Sequence, residues 1–227
     1  VAPLQLASLG FPELTPQRRT AIAALNRVSR TVRGSMEALR LGATQRAEIE
    51  RNRSLMVSPV LPALDRYTGV LFDGLDAPRL TEPERAFAER HLVIHSALFG
   101  LIGASDLIPA YRLSHDSMLP GLSLKRLWRE PVTRALLREE GLVLDLRSES
   151  YVALGAAPAP YVRVVTESTD GRRVALSHFN KKGKGEFVRA IVRSGIDHDS
   201  VDSLLGWAQA EGIRLELGRT GELDLVV

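Results

Sequence analysis

The chain has 227 residues, 44% of them hydrophobic and 25% charged, the make-up of a globular protein that can bury a real core. It contains no cysteine, which excludes a disulfide scaffold, a thiolate metal site and thiol-based peroxide chemistry. Thirty basic residues face 27 acidic ones for a net charge of +3, too little by itself to mark a nucleic-acid binder. No apolar run approaches the ~20 residues of a membrane-spanning helix, so no membrane partner is expected. No secretory signal is visible, and a cytoplasmic location is expected.

In chain order, residues 1–14 read as irregular. Thr15-Pro16 reads as a helix start, a hydroxyl cap followed by proline at the first helical position. Ile22, Leu25, Val32, Met36 and Leu39 continue one helical stripe to a stop at Gly42, with Arg18, Arg27, Arg30 and Arg33 elsewhere around the cylinder. Thr44 opens a polar helix to about Leu55, broken by Pro59 and Pro62. Residues 63–72 read as a loop or short buried strand. Thr81-Glu82-Pro83-Glu84 is a capping box, and its helix runs to about Arg90. Leu92 to Leu98 reads as a buried strand, Gly100-Leu101-Ile102-Gly103 as a tight turn leading to Asp106 and Pro109.

Residues 123–139 read as a helix with Leu124, Leu127, Trp128, Val132, Ala135 and Leu136 on one face, kinked or split at Pro131. Leu142 to Leu146 reads as a strand. Residues 161–168 and 172–179 form an expected hairpin around Asp170-Gly171. A helix follows Gly185, carrying Phe187, Ile191 and Val192, and another spans 199–211. Residues 213–217 alternate apolar and polar and are expected to pair with 222–227. No repeat and no long linker appears, so one domain over 1–227 is expected.

The chemistry search begins with metals. His91 and His95 stand four apart, but the glutamate of a zincin helix is missing after His91. No metal site and no cofactor is expected. Neither a nucleophile elbow nor a phosphate-loop motif is present. The most pointed feature is charge placement. The chain has only four lysines, and three are Lys181, Lys182 and Lys184. They lie in His178-Phe179-Asn180-Lys181-Lys182-Gly183-Lys184-Gly185, read as a strand-to-helix loop. Two glycines would let the backbone approach a ligand, and a helix start would help hold a phosphate or carboxylate. A solvated basic turn is the plain alternative. Gly100 to Gly103 loosely resembles the glycine-bracketed hairpin of helix–hairpin–helix DNA-binding elements, whose amides meet phosphates; an ordinary turn is the alternative.

Taken together, several tracts resemble the YaaA peroxide-stress family. They are Tyr67-Thr68-Gly69, Ser96 to Gly100, Asp106 with Pro109, Tyr111, Arg112 and Leu113, Trp128, Val143 to Tyr151, and Lys181 to Gly185. The resemblance implies a cytoplasmic α+β protein, one compact unit with a central mixed sheet flanked by helices and a helix–hairpin–helix-like element. It implies protection from peroxide, a link to limiting free iron, and DNA binding in a positively charged cleft. Asp145, Phe99 and Phe179 depart from the family's residues. Family members begin with a short strand and a proline-serine loop that this sequence, starting at Val1, is expected to lack.

Two functions follow. In the first, Lys181, Lys182, Lys184, Arg112 and Arg147, with the Gly100 to Gly103 turn, contact DNA phosphates with little sequence preference. In the second, the same cleft is an enzyme site for a small anionic or nucleotide-like substrate, lined by Tyr67, Ser148, Glu149, Tyr151 and His178. A purely structural role, with a buried Arg112 to Glu149 ion pair, is a third reading. No catalytic residue is assigned, and a monomer is expected.

Overall fold

A computed structural model describes residues 3–167, 173–175 and 180–227. Helix α1 is Thr15–Ser29, with Pro16 in its first turn, where a missing N–H breaks no hydrogen bond; Thr15 is the first helical residue and not the cap, which is Leu14 and makes no side-chain cap bond. The single helix expected up to Gly42 is two. Thr31 adopts an extended backbone and its hydroxyl caps Gly34 N, which starts α2 at Val32–Leu39. Arg40, in the left-handed region at φ 53°, ends α2 two residues before Gly42. Thr44 falls in a 3₁₀ turn, and α3 begins later, as Ala47–Arg53.

Strand β1 is Val60–Pro62, followed by α4 at Ala63–Arg66 and α5 at Val70–Leu75; the 63–72 tract is therefore mostly helical. Helix α6 is Glu82–His91, and the capping box forms its expected backward bond, from Thr81 N to Glu84 Oε2 at 2.7 Å. Strands β2 (Val93–Ser96) and β3 (Gly100–Gly103) pair antiparallel, Val93 opposite Gly103 and Ser96 opposite Gly100. The expected turn at Gly100 to Gly103 is thus a strand, and the reversal lies at residues 97–99. Strand β4, Leu107–Pro109, pairs antiparallel with β1.

Helix α7, Leu124–Leu136, is capped by Ser123 and runs through Pro131 without being split. Helix α8 is the single turn Glu149–Val152. The strand expected at 142–146 reduces to one isolated bridge from Asp145 to Tyr161. Strands β5 (Tyr161–Glu167) and β6 (Arg173–Ala175) form the expected antiparallel pair; its Asp170-Gly171 tip lies outside the described residues. Helix α9 is Asn180–Ser194 and α10 is Val201–Ala210. Strands β7 (Leu215–Leu217) and β8 (Glu222–Val226) pair antiparallel as expected.

The protein is a mixed α+β chain with two compact units. The first comprises residues 1–66, 89–137 and 147–156. Its centre is the β2–β3 hairpin, with Leu98, Phe99, Leu101 and Ile102 fully buried. Trp128 of α7 is also fully buried and donates its indole N–H to Ala97 O at 2.9 Å. Arg18, read as lying elsewhere around the α1 cylinder than the apolar stripe, is 0% exposed. Its guanidinium donates to Phe99 O, Leu101 O and Gly10 O, so a buried cation ties α1 to the hairpin. Desolvation pushes the Arg18 pKa down to about 10, with Asp106 and Glu13 opposing it; the group stays charged at neutral pH.

The second unit comprises residues 67–88, 138–146 and 157–227. Its sheet has the order β6-β5-β8-β7, with β5 and β8 parallel at the centre. Val162, Val164, Phe187, Leu204, Trp207, Leu223 and Leu225 form its core, and Leu142, Leu144 and Leu146 pack against that core without joining the sheet. Arg163 clamps Glu222 from both ends of its guanidinium, Nε to Oε2 at 2.8 Å and Nη2 to Oε1 at 2.6 Å.

Candidate functional site: a basic helix start and a polar aromatic cluster

The tract Lys181 to Gly185 is not a loop. It forms the first turns of α9, and its glycines serve helix packing. A Cβ on Gly185 would stand 2.1 Å from Leu71 O, and one on Gly74 would stand 2.8 Å from Lys182 O. Helices α5 and α9 therefore touch backbone to backbone, at a distance only glycine permits. Gly183 lies against Val164 and Val227. Neither glycine is left open for a ligand's approach.

The three lysines separate by face. Lys181 and Lys182 are exposed, and no acidic residue shares their turn. Lys182 reaches Glu186 one turn on at 3.6 Å. Lys184 is only 3% exposed. Its ammonium lies 4.4 Å from the centroid of the Tyr161 ring and 3.3 Å from Tyr161 Oη, and Arg163 stands over the same ring at 5.3 Å. A buried cation needs such partners. The expected phosphate-contacting role of Lys184 is corrected accordingly: it is an internal anchor of the second unit. Farther along α9, Arg189 pairs with Asp76 at 3.2 Å. Arg189 and Arg193 alternate with Glu186 and Glu211 around a groove of about 540 Å³.

Gly100 and Gly103 are corrected in the same way. Gly100 has φ +68°, and a Cβ there would meet the Trp128 ring at 2.6 Å. The Gly103 N–H is held by Asp106 Oδ2 at 2.9 Å. These residues shape the buried hairpin and offer no amide to a phosphate.

The other expected positions fall in both units. In the second, Tyr67 stacks on Phe72 with ring centroids 5.4 Å apart. His178 lies outside the described residues. In the first, Ser148 and Glu149 are exposed at the start of α8. Arg147 and Tyr151 come together with residues that the sequence reading had not joined to them. Arg147 Nη1 lies 2.9 Å from His95 Nδ1. Tyr151 packs edge-on against both His95 and His115, at 5.4 and 5.3 Å between ring centroids. Burial pushes the Tyr151 phenol well above its usual range; Tyr111 and Asp116 push the same way, and Arg112 opposes them. The backbone of Arg112 is clamped by the buried Asn52 side chain, which donates to Arg112 O at 2.9 Å and accepts from Arg112 N at 2.8 Å. Its own side chain remains exposed.

His91 ends α6 whereas His95 belongs to β2, so the two do not share a helix. Among the described residues no three His, Asp or Glu side chains are grouped to hold a metal, and no helix is long and apolar enough to cross a membrane.

The sequence that carries these two groups is similar to known proteins over most of its length. A family model described as peroxide stress protein YaaA matches residues 5–216. The chain belongs to that family. A UPF0246 protein of Corynebacterium glutamicum is 41% identical over 220 residues, 94% of this chain and 87% of that protein. One from Corynebacterium efficiens is 39% identical over 234 residues, all of this chain and 93% of that protein. A third, from Streptomyces coelicolor, is 35% identical over 242 residues, with all of this chain and 92% of the relative aligned. The YaaA resemblance read from the short tracts thus extends across nearly the whole sequence.

Proposed function

We propose that this YaaA family protein acts in the cytoplasm during peroxide stress by binding DNA, with little sequence preference, through a basic surface at the start of α9. The observation that carries this reading is the exposure of Lys181 and Lys182 in the first turn of a 15-residue helix with no acid in that turn. The helix dipole adds partial positive charge where the two ammonium groups already stand. Among the described residues Lys181 has no ion-pair partner. Ammonium groups of this kind contact phosphates as point charges and carry no base information. Lys184, Gly100 and Gly103 have no part in the contact.

The test is duplex and single-stranded DNA binding across a salt series, with Lys181→Ala/Lys182→Ala beside the parent. The double variant should bind more weakly on every sequence, and its salt slope should shrink by about one unit per lost contact. An unchanged slope, or no binding by the parent, would refute the reading.

A further inference from the structure

The groove of about 540 Å³ in the second unit is lined by Glu186, Arg189, Ala190, Arg193 and Ser194 of α9 and by Glu211. The five α9 positions recur at helical spacing and share one face. The helix buries a different face, with Phe187, Val188 and Val192. A space of this size falls in the range of small-molecule sites.

Both guanidiniums of the lining are held by acids that do not line the groove. Arg189 Nη2 lies 3.2 Å from Asp76, the residue that ends α5. Arg193 Nε lies 3.9 Å from Glu84 in the first turn of α6, too far for a hydrogen bond. An arginine has five donors, so most remain for other partners. Arg189 Nε is buried and, among the described residues, meets no acceptor. A buried donor on a charged group is costly to leave unmet, and an acceptor brought by a ligand relieves that cost.

The opposite sign stands at the end of α10. Glu211 is the C-cap of that helix, where the dipole leaves partial negative charge. No basic residue occupies the last turn, and among the described residues the Glu211 carboxylate has no ion-pair partner. Glu186, the other acid of the lining, is engaged by Lys182 at 3.6 Å. A pure anion would meet the arginine donors but bring negative charge against Glu211. A pure cation would suit Glu211 and leave Arg189 Nε unmet. A molecule that carries both charges complements both sides.

We propose that this groove binds a small zwitterion, an α-amino acid or a short peptide with free termini. Its carboxylate meets Arg189 and Arg193, and its ammonium meets Glu211. The site does not depend on the DNA contact at the start of α9.

The experiment is NMR of the intact protein near pH ~6.5, where both ligand groups are charged. The Arg189 Nε–H signal is assigned by its loss in Arg189→Lys. L-alanine and L-alanyl-L-alanine should each move it saturably, and the tighter of the two tells a free amino acid from a peptide end as the source. N-acetyl-L-alanine lacks the ammonium and L-alaninamide lacks the carboxylate; each should bind about tenfold more weakly. Glu211→Gln, an exposed change that leaves the fold intact, should weaken both zwitterions about fivefold and leave N-acetyl-L-alanine unaffected. Arg193→Gln should weaken the zwitterions and N-acetyl-L-alanine alike. No saturation by either zwitterion below about 10 mM, equal binding of N-acetyl-L-alanine or L-alaninamide, or parent-like binding by Glu211→Gln would each overturn the proposal.

Discussion

Two segments carry the same kind of sequence signature, small residues bracketing a short run, and the protein uses them differently. Gly100 to Gly103 is buried on both sides: Trp128 fills the space beside Gly100, and Asp106 takes the Gly103 N–H. Lys181 to Gly185 is buried on one side only. Its glycines and Lys184 face the packed interior of the second unit, while Lys181 and Lys182 face solvent. Glycine spacing alone therefore signals close backbone approach, but not what approaches. In both segments the approaching group is the protein itself, and only in the second does a charged face remain for another molecule.

The sharpest way to break this comparison is at the helix contact. Gly185→Ala places a methyl 2.1 Å from a backbone oxygen that cannot rotate away. Overpacking should outweigh the roughly 1 kcal/mol that alanine gains in a helix, leaving a net loss of about 3 kcal/mol in urea unfolding. If glycine were there for a ligand instead, the variant would be as stable as the parent or more so. Gly100→Ala meets a side chain instead of backbone, and adds the strain of φ +68°. A loss of about 2 kcal/mol is expected, with a changed fluorescence from Trp128 as its local sign.

The three lysines give the next test. Lys184→Ala removes a buried stem and a cation held over Tyr161, and should cost about 2 kcal/mol. Lys184→Met keeps the stem and should recover most of that loss. Lys181→Ala and Lys182→Ala should stay within about 0.5 kcal/mol of the parent, as exposed substitutions do. A flat result across all three positions would mean that Lys184 is not an anchor.

Much of this division was legible in the residues. Lys184 stands three and four residues before Phe187 and Val188, which places it on the apolar face of α9; that periodicity was readable once the helix was started at Asn180 and not after Gly185. The capping box at Thr81 and Glu84, the α10 helix and the β7–β8 pair all follow from local pattern, because their bonds link residues near in sequence. The apolar run Leu142 to Leu146 misleads, since a strand and an extended segment lying on a core have the same composition. His95, the Tyr111–His115 stretch and Tyr151 come from three separate parts of the chain, so no spacing rule could gather them. Ser96 and Tyr111 did lie in family tracts, and Tyr151 and Arg147 in another. The resemblance marked the pieces, and only the fold joined them.

A smaller loss than those of Gly185, Gly100 and Lys184 concerns pH and the Arg163–Glu222 clamp across the parallel β5–β8 pair. The Arg163 hydrogen bonds, and then its charge, hold the Glu222 carboxyl below the usual range, with partial burial opposing them. A carboxyl whose pKa is lower when folded than when unfolded binds its proton more readily in the unfolded chain. Its contribution is therefore complete above the unfolded value, about 4.3, and fades as pH falls through the lower folded value. Both side chains are partly solvated, at 30% and 19% exposure, so the contribution is about 1 kcal/mol. Glu222→Gln should lower stability by that amount at pH 7 and by less as the solution is acidified, so that the two unfolding curves converge once the pH is below the folded value. Parallel curves at all pH values would show that the clamp acts through packing and not through the ionised pair.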